Sequence, residues 1–309
     1  MDEGRLEDAA RYAEAQLEGS EPNAFWLTQK AKARVRSSDY DVALQAGRRA
    51  LELEPNNLYA VAVTADALLG KRLYQDALPY YEELLPSSRL SRSGRRGVLE
   101  CLSGMGQWER VLERLAEWRV SQEQALAWKV RALKALDRRS EALETCERWL
   151  ELKPDFPAAL WERTELEIQR DGLEAVRQKM GRTARIRSLP QVYREIYASL
   201  CRRAGQTEEA IKTYEQITAT GAQTRIQKKQ VFAMARNGKE REALPLLEEL
   251  LRKEPKDIYL HSSYSAACKR IGEVERAIDF YNELLGLYPD EKGLYGKIKT
   301  LRRELEARQ

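Results

Sequence analysis

Apolar residues recur along the chain three to four positions apart, as in Ala77, Tyr81, Leu84 and Leu85 and again in Ala277, Tyr281, Leu284 and Leu285. That spacing lines one face of an α-helix, whereas a half-buried strand would alternate every second residue. The pattern itself returns at a nearly constant interval. A turn residue is followed five positions later by a small or β-branched residue at Gly4 and Ala9, Ser38 and Ala43, Arg72 and Ala77, Gly106 and Val111, Asp137 and Ala142, Asp171 and Val176, Gly205 and Ala210, Gly238 and Ala243, and Gly272 and Ala277. Successive second members lie 34, 34, 34, 31, 34, 34, 33 and 34 residues apart. Each period therefore predicts two amphipathic helices, with the turn residue between them. Pro55, Pro154, Pro255 and Pro289 close several units, because a proline ring cannot continue a helix.

This repeat resembles the tetratricopeptide repeat (TPR), a 34-residue helix-turn-helix unit, over essentially the whole chain. The resemblance implies an all-α, right-handed α-solenoid of stacked units, spanning residues 1–309 as one domain. Within it, residues 1–19 match a half repeat, residues 24–291 about eight repeats, and residues 292–309 a C-terminal capping helix. The half repeat predicts that further repeats precede Met1. Carried over residue by residue, the small column of the first helix falls on Ala31, Ala65, Ala198 and Ser265, with bulkier Leu99 and Val130 elsewhere. The aromatic column of the second helix is kept at Tyr81, Tyr214 and Tyr281 and replaced by Gly47, Leu115, Cys146, Met180 and Leu247. Two departures predict irregularity: the short step near Ser121, and the unit at Asp171, whose second helix is expected to be distorted or shortened before Pro190.

Composition narrows the function classes. With 33% charged residues, a mean hydropathy of −0.63 and no apolar run of membrane-spanning length, the sequence argues against an integral membrane helix. The 43% of hydrophobic residues supply a core, and 17 glycines and 10 prolines in 309 residues leave room for little but helix. His261 is the single histidine, at a packing position. Cys101, Cys146, Cys201 and Cys268 lie far apart without a C-x-x-C pair, so neither a zinc site nor a disulfide framework is indicated. No phosphate-binding loop, nucleophile elbow or zinc-protease motif occurs. The sequence thus predicts a protein that is not an enzyme and has no catalytic residue, cofactor or metal. Widely spaced thiols fit a reducing compartment, which favours the cytoplasm, with a periplasmic fragment of a larger envelope protein as the alternative.

Binding is the remaining function. In stacked TPR units the first helices line the inner surface, and the columns not used in packing give a polarised groove. Its first half shows Phe25, Tyr59, Trp128 and Trp161 with few charges of consistent sign. The second half shows Arg202, Arg203, Arg225, Lys228, Lys229, Arg236, Lys269 and Arg270, with Glu195 the main acid beside them. Like charges gathered without an anion repel, so a net charge of +4 conceals a surface suited to an acidic partner. The expected ligand is an extended peptide or partner-protein segment, held by aromatic anchors and by arginines that pair carboxylates. Self-association through an uncovered solenoid end is the alternative, and single-stranded RNA a more distant one, because the pentatricopeptide columns that read bases are absent. The two-carboxylate clamp by which some TPR domains hold chaperone tails is also absent: Thr28 and Lys32 are followed by Val63 and then by Ser93 and Gly97.

Overall fold

A computed structural model describes residues 3–17, 23–118, 122–186, 188–219 and 224–307. Every regular element among these residues is an α-helix. The chain divides into two compact units, Met1–Leu152 and Lys153–Gln309. In the first, α1 (Glu3–Leu17) precedes four helical hairpins: α2 (Ala24–Arg36) with α3 (Tyr40–Leu53), α4 (Leu58–Gly70) with α5 (Tyr74–Glu83), α6 (Ser91–Gly104) with α7 (Trp108–Glu117), and α8 (Gln122–Ala135) with α9 (Arg139–Leu152). In the second, four further hairpins follow: α10 (Pro157–Asp171) with α11 (Leu173–Ala184), α12 (Gln191–Arg203) with α13 (Thr207–Thr218), α14 (Thr224–Arg236) with α15 (Glu240–Lys253), and α16 (Ile258–Ile271) with α17 (Val274–Leu287). The last helix, α18 (Lys292–Glu306), packs on α17. The fold is an α-solenoid of helical repeats.

The ladder of turn residues has a backbone cause. Ser38, Arg72, Gly106, Asp137, Gly205, Gly238 and Gly272 all take positive φ, between 57° and 80°. One residue in this region reverses the chain between the helices of a hairpin, and glycine, or a short polar residue, adopts it most readily. Arg72 is the exception in type, a long side chain held at φ 60° on an exposed turn. Arg72→Gly is therefore expected to raise stability by about 1 kcal/mol, read as an upward shift of the urea midpoint. An unchanged or lower midpoint would contradict it.

Helix starts are fixed by short polar side chains where the sequence supplies them. Asn23, Asn57 and Asp257 accept the N–H groups of the first turns of α2, α4 and α16, and Asp39 does so for α3. Between helices, the small columns let backbones approach: Ala31, Ala43, Ala65, Ala77, Ala198 and Ala210 are fully buried. Tyr81, Tyr214 and Tyr281 fill the gaps beside them, also fully enclosed. The glycines of α6 serve the same end, since a side chain on Gly97 would run into the Tyr81 ring.

Of the two expected irregularities, that near Ser121 falls outside the described residues. The other lies in the turn and not in the helix. Gly172 has φ 86° and ψ 155°, away from the left-handed helical geometry of Gly272 at φ 80° and ψ 10°, while α11 is a helix of 12 residues. His261 is buried at 3% exposure, with Nε2 bonded to the Pro255 carbonyl at 2.8 Å. Its other ring nitrogen has no partner, and burial pushes its pKa below the usual value, as expected of a neutral packing residue. All four cysteines are buried free thiols, and burial pushes Cys101 up to about 12 and Cys268 to about 11, so neither is a thiolate at neutral pH.

Candidate ligand-binding surface

The eight basic residues of the predicted surface lie on α12, α14 and α16, the first helices of three successive hairpins in the second unit. They do not form one uncompensated field. Arg203 pairs with Glu165, Arg225 with Glu195 at 2.7 Å, Lys228 with Glu254 and Asp257, Lys269 with Glu304 at 2.6 Å, and Arg270 with Glu240 at 3.2 Å. Arg270 also donates to the Ala235 carbonyl. The expectation that Glu195 is the main acid on this side is corrected: carboxylates from the neighbouring hairpins neutralise five of the eight cations. Repulsion among the whole set is therefore no argument for a ligand.

Three cations remain. Arg202, Lys229 and Arg236 have no carboxylate partner among the described residues, and all three line one cavity of about 320 Å³. Ser199 and Thr207 add hydroxyls to its wall, and Phe232 and Ala233 an apolar side. Tyr214 reaches the same cavity from α13 with its ring fully buried and its hydroxyl beside the Arg202 guanidinium, without a well-aligned hydrogen bond. A buried hydroxyl without a well-aligned hydrogen bond is costly, so an acceptor entering the cavity would gain from it. Burial, together with the positive charges of Arg225 and Arg202, pushes the Lys229 amine below the usual lysine range. The Lys229 ammonium stands over the Trp161 ring at 5.6 Å, which brings two predicted residues from α10 and α14 together.

In the first unit the predicted aromatics are dispersed. Phe25 and Tyr59 are exposed on α2 and α4, at 55% and 54%, and Phe25 meets Trp26 edge to face at 4.9 Å. Trp128 on α8 is half-buried, with the Arg131 guanidinium 5.1 Å from its ring centre. It lines a cavity of about 980 Å³ that also carries Arg89, Arg92, Arg95 and Arg96. The column reading, which gave this half few charges of consistent sign, passed over these arginines. A sequence signal was available: from Leu84 to Leu99 there are four arginines and no acidic residue.

Two family models, both described as tetratricopeptide repeat, match residues 28–91 and 165–291 and together take in more than half of the chain. The chain is a tetratricopeptide repeat protein. Among solved structures, this TPR protein is similar to a tetratricopeptide repeat protein from Parabacteroides merdae ATCC 43184, at 16% identity and a TM-score of 0.41, over 90% of this chain and 98% of that one. No curated protein matches it in sequence. TPR units generally mediate protein–protein interaction. Among the described residues no helix is long and apolar enough to cross a membrane, and no group of three or more His, Cys, Asp or Glu side chains is placed to hold a metal.

Proposed function

We propose that this TPR protein is a non-catalytic scaffold that holds an extended acidic segment of a partner protein on the first helices of its second unit. The observation that carries the reading is the cavity in which Arg202, Lys229 and Arg236 lack carboxylate partners among the described residues, with the buried Tyr214 hydroxyl beside Arg202 and without a well-aligned hydrogen bond. A partner carboxylate entering there satisfies the cations and the hydroxyl together. Charge-assisted hydrogen bonds of this kind are each worth about 1.5–3 kcal/mol, roughly twice a neutral one. The Trp161 face beside Lys229 and the apolar side at Phe232 supply contact area for neighbouring side chains of the segment. Preformed helices keep the ordering cost on the peptide alone.

The test is fluorescence anisotropy with a labelled glutamate-rich decapeptide. Wild-type affinity is expected to fall steadily with added salt, because opposite charges at a partly exposed site are screened. Arg202→Gln with Lys229→Gln and Arg236→Gln is expected to weaken binding at least tenfold. Arg203→Gln with Lys269→Gln removes two cations that already have partners and should change it less than twofold. Tyr214→Phe is expected to keep or slightly raise the urea midpoint while weakening the peptide severalfold. Salt-independent binding, or equal losses from the two sets of glutamines, would overturn the assignment.

A further inference from the structure

The arginine-lined cavity of the first unit is built against the local preferences of its own helix. Arg89 lies just before α6, and Arg92, Arg95 and Arg96 lie in its first two turns, so that Arg92 and Arg95, and Arg92 and Arg96, are helical neighbours of like charge. They also sit at the end of the helix where its dipole disfavours cations, and no side chain caps that end. Compensation within the chain is slight. Arg96 has Glu100 at 3.7 Å, and Arg95 lies over the Trp118 ring at 6.0 Å. Arg89, Arg92 and Arg95 have no carboxylate partner among the described residues. Places where a sequence breaks several local rules at once are expected to be functional or strained sites.

The chemistry of the lining indicates what fills the cavity. Its cations are all guanidiniums, whose planar forks pair two oxygens of one oxyanion at a time. The hydroxyls of Ser88, Ser91 and Ser93 stand among them as further donors, and all three line the cavity. Leu99, Leu115, Ala127 and Trp128 add an apolar lining that a bare inorganic ion would leave unused. The volume of about 980 Å³ is several times that of one phosphate group, so the anion enters on a larger body. A dianionic phosphate monoester matches the donors in number and the charge better than a carboxylate. Single-stranded nucleic acid fits less well, because it needs successive stacking faces and this cavity has one aromatic residue, with Arg131 already over its ring.

We propose that the cavity between α6, α7 and α8 binds a phosphorylated serine or threonine of a partner peptide, with a neighbouring apolar side chain against Trp128. This site lies in the first unit and does not rest on the acidic-segment reading of the second.

The probe is a labelled peptide library with one central phosphoserine and degenerate flanks, titrated into the full chain by anisotropy beside the same library carrying serine. The phosphorylated library is expected to bind at least tenfold more tightly. Arg92→Gln with Arg95→Gln is expected to abolish that preference and, by relieving repulsion, to leave the melting temperature unchanged or raised, which separates loss of the site from loss of the fold. Arg89→Lys with Arg92→Lys and Arg95→Lys keeps the charge and removes the forks, and should cost most of the preference. The glutamate-rich decapeptide should bind all these variants as it binds wild type. Equal binding of the two libraries, a preference that survives the double glutamine variant, or tighter binding of a single-stranded RNA 20-mer that is lost in that same variant, would each overturn the proposal.

Discussion

Gly97→Val is expected to lower the stability of the first unit by about 3 kcal/mol. A Cβ on Gly97 would lie 2.2 Å from the Tyr81 ring, well inside contact distance. The ring has nowhere to move: Tyr81 is 1% exposed, and its hydroxyl donates to Asp66 at 2.6 Å. One turn earlier, a Cβ on Gly94 would stand 2.8 Å from the Tyr81 carbonyl oxygen, so α6 runs close against α5 there as well. Overpacking of this kind costs about 1–3 kcal/mol, and a displaced tyrosine forfeits a further 1 kcal/mol or so with its hydrogen bond. The opposing gain, from replacing glycine inside a helix, is below about 1 kcal/mol and smaller still for a β-branched residue. Gly296 in α18 provides the contrast, because a Cβ there meets nothing within 4 Å. Gly296→Ala should therefore show the propensity gain alone. Urea unfolding of the two variants is expected to move in opposite directions, and a Gly97→Val midpoint equal to wild type would refute the packing argument.

The same comparison explains what could be read from the sequence. The hairpin order was legible because each turn needs one residue at positive φ and each close approach needs one small side chain, and both demands recur with the repeat. Ser38, Gly106, Gly205 and Gly272 mark the first requirement, and Ala43, Ala77, Ala210 and Ala277 the second. The irregular geometry at Gly172 was visible only as a missing pattern, and its position in the turn and not in α11 follows from a ψ value that no residue type declares. For the surface, the positions of the cations were legible and their charge state was not. The carboxylates that neutralise Arg203, Arg225, Lys228 and Lys269 come from 26 to 38 residues away, close to one repeat in either direction. Reading one face of one helix at a time hides them; reading acids in the adjacent repeat would have exposed them. The unmatched trio of Arg202, Lys229 and Arg236 emerges only after that subtraction, and the Tyr214 hydroxyl only from the packing around it. Arg89 and Arg92 were hidden differently, since the surface columns were defined by family positions, and Arg89 lies before α6 while Arg92 lies in its first turn.

Asp257→Ala is expected to cost the second unit about 2 kcal/mol at neutral pH, and the loss should shrink in acid. Asp257 caps α16, accepting the N–H groups of Tyr259 at 2.8 Å and Leu260 at 3.1 Å, and it holds the Lys228 ammonium that Glu254 also contacts. Loss of an aspartate cap costs about 0.5–2 kcal/mol, and loss of a partly buried ion pair adds to it. Burial acts to raise the pKa of this carboxyl, but Lys228 and the two backbone N–H groups outweigh it and hold the carboxyl below the usual aspartate range. A carboxyl whose folded pKa lies below its unfolded value of about 3.9 stabilises the fold fully above that value, and the contribution disappears as pH falls through the folded pKa. The urea midpoints of wild type and Asp257→Ala should therefore differ most at pH 7 and converge below pH 4, with Asp257→Asn intermediate because it keeps a cap acceptor without the charge. A difference independent of pH would show that the cap alone matters. The pairing also decides how the basic surface should be probed. Lys228→Glu would set a third carboxylate beside Glu254 and Asp257 and unsettle α16, so any ligand lost by that variant would report on the fold and not on the site. Arg202, Lys229 and Arg236 hold no such carboxylate, and their replacement reads binding directly.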